Sequence, residues 1–262
     1  MLFYFSYHGN KRNELTEIKD MFDITKYDTI VEPFGGSLVF SRYIYSIDPN
    51  KKFHCSDNNN ELVTFCNNFH KHDDSIIKRA TNVIKKINNK KDKYYEYMKN
   101  VPETQVVTYK WIVYYLLYNT YYNYQRGRFG TRDVPKFLGI SKCKSVLNDF
   151  FRNNPYKLSD YKTSIEQFKD DKNALIFLDP PYINSYNMCY KKPEVDWEYL
   201  YNFFETCKCH FIMIVNNDFF MRIAFKKYFV KEYSKRYEQK KRSVMHCVFS
   251  NIPKCNVPIT IF

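Results

Sequence analysis

The sequence predicts an α/β protein whose single sheet, with strands ending in polar tips, is interrupted by a long helical insert. Three observations carry that expectation. Leu175-Ile176-Phe177-Leu178 is an unbroken apolar run that stops at Asp179-Pro180-Pro181-Tyr182. Thr29-Ile30-Val31 is a β-branched run that stops at Glu32-Pro33-Phe34-Gly35-Gly36-Ser37. Residues 61–155, between the two, are largely basic and helical in pattern. Short apolar runs bounded by breakers suit strands buried on both faces, and proline cannot continue a hydrogen-bond ladder. The residues just past such strands stand at the carboxyl edge, where open α/β sheets bind ligands.

Composition narrows the class. A chain of 262 residues has room for one large domain or a core domain with an insert. With 44% hydrophobic residues and only 6 Gly and 10 Pro, it is not globally disordered. The 41 Lys+Arg against 28 Asp+Glu leave a net charge of +13, which a polyanion such as nucleic acid would complement. Solubility or a lysine-rich coding background explains the charge equally well, and the 25 Tyr and 23 Phe point to compositional bias too. The 8 Cys include no CxxC pair and no compact four-ligand cluster, so reduced thiols in an intracellular protein without a metal are expected. No apolar stretch reaches transmembrane length, and Met1-Leu2-Phe3-Tyr4-Phe5 is too short for a secretory signal.

Each element follows from its own signals. The polar loop from Tyr7 through His8, Gly9, Asn10, Lys11 and Arg12 precedes Leu15-Thr16-Glu17-Ile18, which opens a helix running toward Phe22. Gly9 permits close backbone approach, and Lys11 or Arg12 suits a carboxylate. The adjacent glycines Gly35 and Gly36, between strand and helix, allow a tight turn that brings amides and a helix N-terminus to a ligand, with Ser37 as the helix cap. Lys52 to Asp57 supplies a second strand tip, where Asp57 suits ribose hydroxyls and Asn58 or Asn59 suits a helix cap. In the insert, Phe65, Phe69, Ile76, Ile77, Ala80, Ile84 and Ile87 form an imperfect helical stripe, and Val106 to Leu117 reads as a further helix.

Residues 122–132 then alternate arginine, amide and aromatic side chains around Gly127 and Gly130. A hairpin there offers Arg126, Arg128 and Arg132 to guanine or phosphate, and Asn123 or Gln125 to adenine, with Tyr122 and Tyr124 alongside. Solvent-facing arginines around a glycine turn fit the same pattern. Ser141 suits a helix cap before Val146, Leu147 and Phe150, and a strand tip at Asp160-Tyr161 suits an adenine pocket. The two prolines after Asp179 fix the backbone so that one carboxylate, backbone carbonyls and the Tyr182 ring lie together. Such a bracket suits the amino group of a planar heterocycle. Tyr186 and Tyr190 follow in a loop fit for stacking. His210 to Val215 reads as a buried strand ending at Asn216-Asn217-Asp218, and Lys231 to Arg242 as a basic segment suited to phosphate contacts or to a plain hairpin surface.

The motifs in this order resemble the Dam-like class of S-adenosylmethionine-dependent DNA adenine-N6 methyltransferases, over most of the chain. His8-Gly9-Asn10-Lys11, together with Tyr7, resembles the amino-terminal cofactor loop. Glu32 to Ser37 resembles the main cofactor motif, Asp57-Asn58-Asn59 the ribose-side motif, and Asp160-Tyr161 the segment near the cofactor adenine. Tyr122 to Phe129 resembles the target-recognition hairpin, and Asp179-Pro180-Pro181-Tyr182 the catalytic motif, with Tyr186 and Tyr190 in the loop after it. Ser37 stands where the pattern usually has glycine or alanine. The recognition segment does not match the GATC-reading enzymes, so no target sequence is carried over.

The resemblance implies a Rossmann-like class I methyltransferase sheet, seven-stranded and mostly parallel with one reversed strand near the carboxyl end. Residues 1–60 and 156–262 then form the catalytic, cofactor-binding domain, and 61–155 the helical target-recognition insert with a hairpin near 122–132. It implies methyl transfer from S-adenosylmethionine to adenine N6 in double-stranded DNA, at a short specific sequence and by base flipping. Asp179, which also contacts the cofactor, and the Pro180 carbonyl accept the N6 hydrogens, and Tyr182 stacks on the base. The alternatives are an RNA or protein amine methyltransferase, or an inactive nucleic-acid-binding protein on the same fold. A companion restriction endonuclease is compatible with the family, while the oligomeric state is not readable.

Overall fold

The computed structural model describes residues 14–69, 73–100, 122–123, 128–130, 145–183, 195–237 and 242–253. They fall into two compact units, one within Lys11–Ser56 and Ser159–Phe262, the other within Asp57–Leu158. In chain order the first segment runs α1 (Leu15–Ile18), β1 (Thr29–Glu32), α2 (Val39–Ile47) and β2 (Lys52–Asp57). Then come α3 (Asn60–Phe69), α4 (Asp73–Ile87), α5 (Lys91–Lys99), β3 (Tyr122–Asn123), β4 (Arg128–Phe129), α6 (Ser145–Asn153) and β5 (Lys157–Leu158). The chain continues with α7 (Tyr161–Phe168), β6 (Ala174–Leu178), α8 (Trp197–Thr206), β7 (His210–Asn216), α9 (Phe219–Ala224), β8 (Phe229–Tyr237) and β9 (Arg242–Ser250).

The main sheet is seven-stranded in the order β5-β2-β1-β6-β7-β9-β8. β1 pairs parallel with β2 and β6, and β6 pairs parallel with β7. β9 runs antiparallel to both β7 and β8, and so is the reversed strand. This is the α/β class expected. Every residue of β1 and β6 is buried, as strands covered on both faces must be. Beside them Phe40 of α2 stacks on Phe177 of β6 at 4.4 Å, and Phe204 of α8 stacks on Phe211 of β7 at 3.8 Å. These aromatic contacts fix the helices to the sheet and hold the strand ends in place.

In the other unit, Phe65, Ala80, Ile84 and Ile87 of the expected stripe are buried. Asn67 donates from Nδ2 to the Tyr156 carbonyl at 2.6 Å and accepts the Tyr156 amide at 2.8 Å, a two-way clamp. β3 and β4 form a two-stranded antiparallel hairpin, and the Tyr94 ring lies 5.1 Å from that of Phe129.

Three local expectations are corrected. Helix α1 stops at Ile18 instead of running toward Phe22, because the exposed Lys19 and Asp20 bring nothing apolar to bury and Met21 turns back onto the Ile18 carbonyl. Ser37 does not cap α2: the cap position is Leu38, in left-handed backbone at φ 53°, with no side-chain cap of its own. The Ser41 amide is taken instead by Glu32 Oε2 at 2.8 Å, reaching across from β1. Asp160 is not at a strand tip, since β5 ends at Leu158; it caps α7, accepting the Lys162 amide at 2.8 Å. The expected helix over Val106–Leu117 and the Ser141 cap lie outside the described residues.

Candidate active site

The parallel strands β1, β6 and β7 deliver their ends to one edge. Val31 is in register with Ile176 and Leu178 with Met213, so Asp179 leaves the sheet between Glu32 and the tip of β7. Pro180 is buried, while Asp179, Pro181 and Tyr182 keep part of their surface accessible. Tyr182 packs against the main core cluster, and its ring meets that of His246 edge to face, centroids 5.6 Å apart at 84°. An apolar strand closed by two prolines thus presents a carboxylate and a half-buried ring together.

Glu32 is almost wholly buried at 3% exposure. Burial raises its pKa to about 7, the Asp179 charge pushes the same way, and hydrogen bonding from Ser41 opposes both. Two carboxyl groups therefore feel each other at adjacent strand ends. Glu32 also anchors the start of α2. Around it the turn is tightly tied: the Gly35 amide donates to the Ser56 carbonyl at 2.9 Å, and the Arg42 guanidinium to the Ser37 carbonyl at 3.2 Å. The Gly35 amide is thus already engaged. Gly36 has φ 50°, a left-handed conformation that glycine adopts without Cβ strain, and it is partly accessible.

Phe34, just past β1, stacks on Tyr161 at the start of α7, with centroids 4.7 Å apart and 26° between the planes. The Tyr161 hydroxyl accepts the Asp196 amide at 2.9 Å, and burial raises its pKa. A Lys162–Asp196 ion pair at 2.7 Å closes this corner. Asp57 ends β2; its Oδ1 accepts the Asn59 amide at 2.8 Å, and its Oδ2 faces the Tyr156 hydroxyl at 3.4 Å. Asn58 is exposed beside it.

The structure thus brings Glu32, Phe34, Gly36, Tyr161, Asp179 and Tyr182 to the ends of neighbouring strands. Pro33, Gly35 and Ser37 are buried in the turn that supports them. Tyr7, His8, Gly9, Lys11, Tyr124, Gln125, Arg126, Arg132, Tyr186 and Tyr190 lie outside the described residues. Tyr122, Asn123 and Arg128 are on the β3–β4 hairpin. Sequence patterns gave Asn216 only as the end of a strand and His246 no role, since a lone histidine within a strand carries no signal of its own.

The family model of the D12 class N6 adenine-specific DNA methyltransferases matches residues 7–245. The chain belongs to that family. It is an adenine-specific DNA methyltransferase, with DNA as its substrate and N6 of adenine as the acceptor. No curated protein matches the chain. Among the described residues no cluster of three or more His, Cys, Asp or Glu is placed to hold a metal ion. None of the described helices is long and apolar enough to cross a membrane.

Proposed function

We propose that this D12-class enzyme uses S-adenosylmethionine as methyl donor and acts on adenine within a short specific sequence of double-stranded DNA. The observation that carries the reading is the placement of Asp179-Pro180-Pro181-Tyr182 beside the glycine turn and the Phe34–Tyr161 ring pair, on adjacent strand ends of one compact unit. The residues fit this donor. Phe34, backed by the buried Tyr161 ring, offers flat apolar surface to an adenine ring, and Gly36 leaves room where a Cβ would protrude. The neighbouring carboxyls of Glu32 and Asp179 favour a cation. Phe34, Gly36 and Asp160 would hold it, with Tyr161 backing Phe34 and Glu32, Pro33, Gly35 and Ser37 shaping the turn. Asp57 and Asn58, at the end of β2, are proposed for the ribose, and Tyr7, His8, Gly9 and Lys11 for the amino-acid end.

Bound S-adenosylmethionine supplies a methyl group already activated by its sulfonium charge. The protein's part is positioning and electrostatics. Asp179 and the Pro180 carbonyl accept the two N6 hydrogens of a flipped adenine and aim the nitrogen lone pair, while Tyr182 stacks on the base and replaces part of the lost stacking. Pro181 stiffens the bracket. Asp179 need not be a strong base, since the amine becomes acidic only as the new bond forms. Residues 61–155 are proposed as the target-recognition insert. Tyr122, Asn123, Tyr124, Gln125, Arg126, Arg128 and Arg132, with Tyr186 and Tyr190, are assigned to DNA contact.

The test is to incubate the protein with S-adenosylmethionine and a randomised duplex library and map the methylated adenines. N6-methyladenine confined to one short sequence supports the reading. Methylation of RNA or protein alone, or of adenines irrespective of sequence, contradicts it.

A further inference from the structure

Tyr182 sits beside a row of side chains that crosses the reversed end of the sheet. Asn216 of β7 is in register with His246 of β9, and His246 with Tyr233 of β8. Residues directly opposite across a ladder share a face, so the three side chains line up on one side of the sheet. His246 is fully buried. One of its ring neighbours is Tyr182, met edge to face at 5.6 Å; another is Tyr233, at 5.5 Å and 40°. Asn216 Oδ1 is buried at the tip of β7 with no hydrogen-bond partner among the described residues. The row begins where Asp179-Pro180-Pro181 leaves the sheet, and His246 lies just past the stretch matched by the family model.

We infer that His246 is a positioning residue for Tyr182, fixing the plane on which the target adenine stacks, with Tyr233 backing it from the far side. This rests on the proposed stacking role of Tyr182. The ring of Tyr182 follows two prolines and belongs to no strand or helix, so its plane must be set by what it touches. An edge-on aromatic contact defines that plane in a way an aliphatic filler of the same pocket does not. Because a small misplacement of a reacting base slows transfer steeply, orientation is where the residue acts.

The experiment compares His246→Leu and His246→Phe in single-turnover methylation of a duplex carrying the mapped site, with S-adenosylmethionine affinity measured alongside. His246→Leu should slow transfer roughly 10- to 100-fold at unchanged cofactor affinity, and His246→Phe should recover most of the rate. In a Tyr182→Ala background, His246→Leu should add no further loss. A wild-type rate in the Leu variant, a Phe variant as slow as Leu, or losses that multiply with Tyr182→Ala would overturn the inference. Full activity of Tyr182→Ala alone would instead remove the stacking reading beneath it. Histidine-selective NMR of the unaltered protein gives a test without substitution at 246. The ring signal displaced by Tyr182→Ala must also shift when the target duplex is added, and a signal that stays in place overturns the proposal.

Discussion

Glu32 keeps a carboxyl group in the protein interior because the first turn of α2 uses it. Its pKa, raised mainly by burial from 4.5 to about 7, makes folding take up a proton. The stability it contributes is therefore complete below about pH 4.5 and is lost as pH rises through about 7, on the order of 3 kcal/mol. Glu32→Gln keeps an oxygen for the Ser41 amide and removes the titration. Its melting temperature relative to wild type should improve from pH 5 to pH 8; parallel pH profiles would show that the proton is not taken up. Asp179 lies one strand away and raises the same pKa, so Asp179→Ala should move the loss of stability to lower pH. The same variant tests the chemistry. Removing the group proposed to orient the amine should slow single-turnover methylation by roughly 100-fold or more while cofactor affinity stays within a few-fold. A near wild-type rate would take Asp179 out of its assigned role. Tyr182→Phe should stay far more active than Tyr182→Ala, because stacking needs the ring and not the hydroxyl.

The start of α2 sets two local effects against each other. Left-handed backbone at Leu38 costs about 1–2 kcal/mol for a residue with a Cβ, while a fully buried leucine contributes more, about 2–5 kcal/mol on truncation. Burial wins, so Leu38→Gly should destabilise by about 1–3 kcal/mol in urea unfolding, despite relieving the backbone. A stabilised variant would show that strain dominates at this turn. The strands ending at Glu32, Asp179 and Asn216 were legible in the sequence because an unbroken apolar run followed by a polar residue or proline has few other solutions. The cap was not legible: serine at position 37 matches every local preference, but the helix starts one residue later, and its first-turn Ser41 amide is held by a carboxylate from the preceding strand. Nor was the packing of Tyr182 on His246 legible, since strand order, not local pattern, brings them together. Between β3 and β4 in the sequence, Arg126→Ala should reduce discrimination at one base position by roughly 1–3 kcal/mol and leave cofactor binding intact. Duplexes varied one base pair at a time check this; activity lowered evenly across the panel would assign Arg126 to phosphate instead.

At the scale of the molecule, a sheet whose parallel strands share a carboxyl edge gathers residues from distant parts of the chain, and the chain as a whole carries a net charge of +13. A polyanionic substrate is favoured by that charge whatever its sequence, so binding to any duplex should weaken steeply with salt while the preference among sequences persists. The sheet edge and the D12-class membership both lead to one reaction, and its product identifies it. The most direct measurement supplies S-adenosylmethionine labelled in its methyl group to the protein with duplex DNA, RNA and a protein mixture in parallel. The nucleic acids are then digested to nucleosides and the label is located. Label should be found in N6-methyladenine from the duplex and be absent when Asp179→Ala replaces the wild type. Label confined to RNA or protein, placed on another base, or equally abundant with the Ala variant would contradict the assignment.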